Sequence, residues 1–159
     1  MINDKSIKIL IYIAIVLLVF VLDRVSKIII LNILENEGSV DIHINSFLSL
    51  YFVWNKGIGF GLFSFDKSSI YNGITLLILT INLIILYLIY KEKAPKTYYL
   101  AIILGGSCGN LFDRYYYSAV PDFIDLNYKG YHWFIFNVAD IFITSVSYTH
   151  LTLPTICSV

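Results

Sequence analysis

Asp122, in Val-Pro-Asp-Phe, and Asp140, in Asn-Val-Ala-Asp, stand at opposite ends of a short polar loop in an otherwise strongly apolar chain. A carboxylate at a membrane boundary is costly to desolvate, so two of them require a chemical reason. Two carboxylates within hydrogen-bonding reach of one water resist ionising together; they share a proton and titrate as a pair. One can then take a proton from water while the other protonates a carbonyl oxygen or a leaving group, which cuts a peptide bond without metal, thiol or serine triad. Intramembrane acids also serve as proton relays, so a proton-coupled transporter component is an alternative reading. A non-enzymatic membrane scaffold is another, and it needs no close approach of Asp122 to Asp140.

Other polar residues keep company with these two. Asn110, Asp113 and Arg114 are spaced i, i+3, i+4, which places them on one helix face, where Asp113 and Arg114 can neutralise each other. Asp125 and Asn137 follow within the same stretch. Asp23 and Lys27 are spaced i, i+4 with Ser26 beside them, which suits an interfacial ion pair with a snorkelling lysine. The functional alternative has Asp23 facing the bundle and fixing a neighbouring loop. The glycines of Asn55-Lys56-Gly57-Ile58-Gly59-Phe60-Gly61 are not a dinucleotide fingerprint, because Leu62 occupies the place of the third glycine. They suit close approach of backbone to backbone, or to a peptide ligand. Cys108 with His132 could form a cysteine hydrolase, but nothing in the apolar run around Cys108 would activate its thiol. His43 and His150 lack partners at metal-ligand spacing, so no metal site is expected.

These residues must be held by membrane-spanning elements. The 159 residues are 58% hydrophobic and 14% charged, with a mean hydropathy of +0.76, far more apolar than a soluble domain of that size. Lys plus Arg and Asp plus Glu both total 11, so the chain lacks the basic face that nucleic acid would require. Spans are expected over about 8–31, 70–90, 97–114 and 133–153. Lys5 and Lys8 before the first apolar run also fit a secretory signal peptide, but no small-residue cleavage site follows. Between the first two spans, residues 35–68 carry alternating Val40, Ile42 and Ile44, then Leu48 to Trp54, which predicts a small two-stranded external platform. Lysines before the first span and at 91–96 place the amino terminus and that loop in the cytoplasm. Residues 115–132 then form an outward-facing loop. Gly105 and Gly109, at i, i+4, predict close helix packing in the third span. The fold class expected is an all-α membrane protein of four spans with an extracytoplasmic β-rich platform, forming one domain over 1–159. After about 144 the chain turns polar and Pro-interrupted and lacks Lys or Arg, so the tail is atypical for a span ending in the cytoplasm.

Taken in order, Asp23-Arg24-Val25-Ser26-Lys27, Asn55 to Gly61, GNLFDR at 109–114, VPDFID at 120–125 and FNVAD at 136–140 resemble the bacterial lipoprotein signal peptidases, or signal peptidase II. The resemblance covers roughly residues 8–144. It implies an aspartic endopeptidase with Asp122 and Asp140 as the catalytic dyad. Asn55, Gly57, Asn110, Arg114 and Asn137 would line the site, and Asp23 and Asp113 would support it. It further implies no cofactor, a monomer among membrane lipids, and a prolipoprotein substrate cut just before a diacylglyceryl-modified cysteine. Placement would be in the bacterial cytoplasmic membrane, with both termini inside and the site near the outer face. The chain departs from the usual pattern at Arg24, Ser26, Ile58, Gly59 and Pro121.

Overall fold

The computed structural model describes residues 4–57, 68–92, 94–128 and 131–148. Helix α1 runs Asp4–Glu37, strands β1 and β2 cover Asp41–Asn45 and Leu48–Asn55, and helices α2 and α3 cover Ser68–Lys91 and Lys96–Tyr117. Strands β3 (Val120–Tyr128) and β4 (Tyr131–Phe136) follow, then helix α4 (Val138–Val146).

Two helical stretches, Ser6–Glu37 and Tyr71–Lys91, are long and apolar enough to cross a membrane. Both leave large apolar side chains uncovered, among them Leu17, Leu18, Leu76 and Leu83. In water such a surface would be an aggregation liability; against acyl chains it is the expected exterior. α1 stops where Gly38, with φ +76°, takes the left-handed conformation and returns its N–H to the Leu34 carbonyl at 2.9 Å.

α3 is the central helix, packed by α1, α2 and α4. Its glycines make that possible. A Cβ at Gly105 would stand 2.8 Å from the Val16 carbonyl oxygen of α1, and one at Gly106 would stand 2.9 Å from the Ala139 carbonyl oxygen of α4. Ile85 of α2 with Leu100, Ile103 and Leu104 of α3 forms one apolar cluster. A second, Ile30, Val40 and Phe123, joins the end of α1 to the sheet.

The sheet is larger than the expected platform: four antiparallel strands in the order β1-β2-β3-β4. Residues 115–132 were expected to loop, and a span to begin near Trp133. Instead Val120–Tyr128 pairs with both β2 and β4, Trp133 lies within β4, and α4 starts only at Val138. Pro121 is tolerated because it pairs only with Trp54 of β2, while the pairing of β3 with β4 begins at Ile124. The tail from 149 onward, the end of the expected fourth span, and Ile58, Gly59, Phe60 and Gly61 all lie outside the described residues.

Candidate active site

Asp122 sits on β3 beside Phe123. Because successive strand residues face opposite ways, Phe123 packs into the core while Asp122 turns from it. Its carboxylate is 1% exposed, and both oxygens are held. Asn55 Nδ2 donates to Oδ2 at 2.8 Å and Asn137 Nδ2 to Oδ1 at 2.6 Å. The Asn55 amide is itself oriented, since its Oδ1 accepts the Gly57 N–H at 2.8 Å. Burial, and after it the nearby charge of Asp140, push the Asp122 carboxyl from its ordinary value of 3.8 up to about 7; the two asparagine donors and Lys27 pull the other way.

Asp140 is placed by a helix cap. Asn137 is the N-cap of α4 and Asp140 its third residue, and the two form a reciprocal capping box. Asn137 Oδ1 accepts the Asp140 N–H at 3.1 Å, and the Asn137 N–H donates to Asp140 Oδ2 at 3.3 Å. With its oxygen committed to that N–H, the Asn137 amide has only its NH2 group to offer Asp122. One residue therefore fixes both acids, Asp122 through its side chain and the Asp140 carboxylate through its backbone N–H. The remaining Asp140 oxygen, Oδ1, accepts Asn110 Nδ2 from α3 at 2.9 Å.

Beneath the acids lies an ion cluster. The Lys27 ammonium donates to Asp23 Oδ2 at 2.9 Å, Asp113 Oδ2 at 2.7 Å and Asn110 Oδ1 at 2.8 Å, three acceptors for three protons. Arg24 bonds the same two acids, reaching Asp113 through both Nη atoms and Asp23 Oδ2 through Nη2 at 2.9 Å. Two cations thus meet two carboxylates. The other Asp23 oxygen, Oδ1, accepts the Ala139 N–H at 3.0 Å, which anchors the start of α4 directly to α1. Gly109 leaves the room for this: a Cβ there would come 2.5 Å from Asp23 Oδ2.

Arg114 points elsewhere. Its Nη2 donates to the Gly57 carbonyl and its guanidinium lies 5.5 Å from the centre of the Tyr71 ring. Nε and Nη1 are buried without a partner among the described residues.

All nine residues singled out in the sequence, Asp23, Asn55, Gly57, Asn110, Asp113, Arg114, Asp122, Asn137 and Asp140, fall within this one region. Hydrogen bonds run unbroken from Asp113 through Lys27, Asn110, Asp140, Asn137, Asp122, Asn55 and Gly57 to Arg114. Two expectations change. Lys27 does not snorkel: it is 0% exposed and bonded on every side. Asp113 and Arg114 do not pair: Asp113 faces the Lys27 cluster, while Arg114 reaches the Gly57 carbonyl. Asp23 does hold a neighbouring segment, and that segment is the first turn of α4. Lys27 was absent from the expected site although its spacing from Asp23 in an apolar helix was the available signal. Asp125 stands apart, its Oδ2 bonded to His132 Nδ1 at 2.7 Å and Asn127 Nδ2 at 2.9 Å. Cys108 packs on the α2–α3 apolar cluster, whereas His132 belongs to β4.

A site of this kind offers two buried acids, positioned by neutral amide donors, with cations close by. A family model described as Signal peptidase (SPase) II matches residues 15–154. The chain is 55% identical over 130 residues to a lipoprotein signal peptidase of Pelagibacter ubique (strain HTCC1062), covering 82% of this chain and 78% of that protein. It is 39% identical over 130 residues to a lipoprotein signal peptidase of Anaplasma phagocytophilum (strain HZ), covering 79% and 80%. Among solved structures, a bacterial membrane enzyme determined by the in meso method at 2.3 Å resolution superposes with a TM-score of 0.71 at 26% identity, covering 92% of this chain and 89% of that one. Another, at 1.9 Å resolution, gives 0.73 at 22% identity and 92% coverage of each, a likeness of fold.

Proposed function

The chain belongs to the signal peptidase II family and is a membrane protease that removes signal peptides from prolipoproteins, and from that premise we propose that Asp122 and Asp140 are its catalytic dyad. The observation that carries this reading is the Asn137 bridge: one residue bonds both carboxylates, while the charge of Asp140 is felt at Asp122. Two acids coupled in this way hold one proton between them near neutral pH, the state in which one acts as base and the other as acid.

The asparagines supply the rest. Asn55 and Asn137 hold Asp122, Asn110 holds Asp140, and Nε and Nη1 of Arg114, without a partner among the described residues, can donate to a carbonyl of the substrate backbone. Asp23, Asp113, Lys27 and Arg24 support the dyad by locking α1, α3 and the start of α4 together.

The substrate proposed is a bacterial prolipoprotein carrying diacylglyceryl on the cysteine that follows the cut. A signal helix and a lipid-bearing cysteine already reside in the bilayer, and the acids lie at the outer end of α3, where the helices give way to the sheet. The proposed topology has four crossings in the cytoplasmic membrane: α1, α2, α3 and a fourth begun by α4, with both termini inside. A transporter relay would distribute acids across membrane depth, whereas Asp23, Asp113, Asp122 and Asp140 belong to one connected cluster. The test compares the purified protein on a diacylglyceryl-modified precursor and on the same precursor unmodified, each with and without a chelator. Rapid cleavage of the modified form alone, unaffected by chelator, is expected. Equal rates on both forms would remove the lipid requirement, and loss with chelator would remove the metal-free mechanism.

A further inference from the structure

The two acids of the dyad are not equivalently held. Asp122 lies on a strand, and its donors, Asn55 and Asn137, are neutral amides whose own oxygens accept ordinary backbone N–H groups. Asp140 lies in the first turn of α4, where the helix presents its positive end. Its Oδ1 partner, Asn110, is different in kind. The Asn110 oxygen receives the Lys27 ammonium at 2.8 Å while its Nδ2 donates to Asp140 at 2.9 Å. A cation on the carbonyl end of an amide draws electron density from its NH2 end and makes that end a stronger donor.

We infer that Lys27, acting through the Asn110 amide, is a positioning residue that makes Asp140 the water-activating base and leaves the shared proton on Asp122. This rests on the dyad reading above. Asp140 then takes a proton from water as the water oxygen bonds to the scissile carbonyl carbon, and Asp122 gives its proton to the carbonyl oxygen. On collapse, the proton on Asp140 passes to the amide nitrogen as the C–N bond breaks, and Asp122 recovers a proton from the diol. The dyad ends as it began.

The charged groups around this relay are Asp23, Arg24 and Lys27 from α1, Asp113 from α3, Asp122 from β3 and Asp140 itself from α4. Within the cluster the two cations are matched by Asp23 and Asp113, and the charge of Lys27 is felt at both acids of the dyad. What distinguishes Asp140 is the polarised hydrogen bond through Asn110. That part of the Lys27 effect passes through Asn110, so the two substitutions together should have less than the sum of their separate effects.

The test is the pH profile of kcat/KM on a lipid-modified precursor for the wild type, Asn110→Ala, Lys27→Gln and the double variant. Weakening the donors to an anion disfavours the anion, so the acidic limb should move to higher pH. The expected shift is roughly one pH unit for Asn110→Ala, the size of one lost charge-assisted hydrogen bond, with the alkaline limb moving less. Lys27→Gln should shift the limb the same way and the double variant by less than the sum of the two single shifts. A loss of rate uniform across pH, with both limbs in place, overturns the inference and leaves Lys27 and Asn110 as structural. Lys27→Gln leaves two carboxylates facing one arginine; if it fails to accumulate, the charge-balanced pair Asp23→Asn with Lys27→Gln takes its place, with a shift of the acidic limb in the same direction expected and an unmoved limb overturning the inference. Activity retained in Asp122→Asn or Asp140→Asn would instead refute the dyad, whatever the limbs did.

Discussion

Asn137 performs two tasks with one amide, and each has a separate measurable consequence. As the N-cap of α4 it satisfies the Asp140 N–H, and as a donor it holds Asp122. Asn137→Ala should lower stability by about 1–2 kcal/mol through the lost cap. Cleavage should fall further, on the order of 100-fold, because both acids lose their common reference. Equal, small losses of both would show that the bridge does not position the dyad. Asp122 also makes stability depend on pH. Its carboxyl is raised from 3.8 to about 7 in the fold, so between those values the folded state keeps a proton that the unfolded chain has released. The contribution is fully present below about pH 4, declines as pH rises towards 7, and is flat above. Thermal unfolding followed from pH 5 to 9 should show that decline in the wild type and a flatter profile in Asp122→Asn. The same profile in both would place the titration elsewhere. At this scale the sequence was most legible where residue type itself is the signal: a carboxylate or an amide in an apolar setting. It was least legible for Lys27, because spacing alone does not distinguish a lysine reaching for the interface from one enclosed by Asp23, Asp113 and Asn110.

The helices and the sheet were legible to different degrees, for one physical reason. α1 and α2 are continuous apolar runs, and membrane thickness fixes the length at which such a run becomes a span. β3 begins Val-Pro-Asp-Phe-Ile-Asp, with Val120 to Phe123 all buried, so it lacks the two-residue alternation that marks a half-buried strand. Its strand character comes from pairing with β2 and β4. The apolar stretch from Trp133 to Ile143 hid a boundary as well: it is divided at Asn137, and the cap residue was the signal for where α4 starts. Glycine substitutions in α2 and α3 test the packing. Gly106→Ala sets a methyl group against the α4 backbone and should cost roughly 1–3 kcal/mol. Because α4 carries Asp140, activity should fall with it. Gly73→Ala in α2 meets nothing within 4 Å and should be neutral or slightly stabilising, by up to about 1 kcal/mol. Parity of the two variants in thermal unfolding would contradict the close approach at Gly106.

In the whole molecule the sheet and the paired acids share one end of the helices, while Lys8, Lys91 and Lys96 lie at the other. That polarity supports the proposed orientation, since lysine-rich segments stay in the cytoplasm. Alkaline phosphatase, active only outside the cytoplasm, should be inactive when fused after residue 92 and active when fused after residue 118; the reverse pattern would invert the topology. At this scale the motif order in the sequence was already sufficient to suggest the family, whereas the hydrogen-bonded network that joins all nine residues by way of Lys27 emerges only when α1, α3, the sheet and α4 are brought together. The most direct test of the account replaces Asp122 and Asp140 singly by asparagine and measures cleavage of a diacylglyceryl-modified precursor at matched amounts of membrane-inserted protein. Each variant should show no cleavage above background; wild-type cleavage by either one would contradict the dyad.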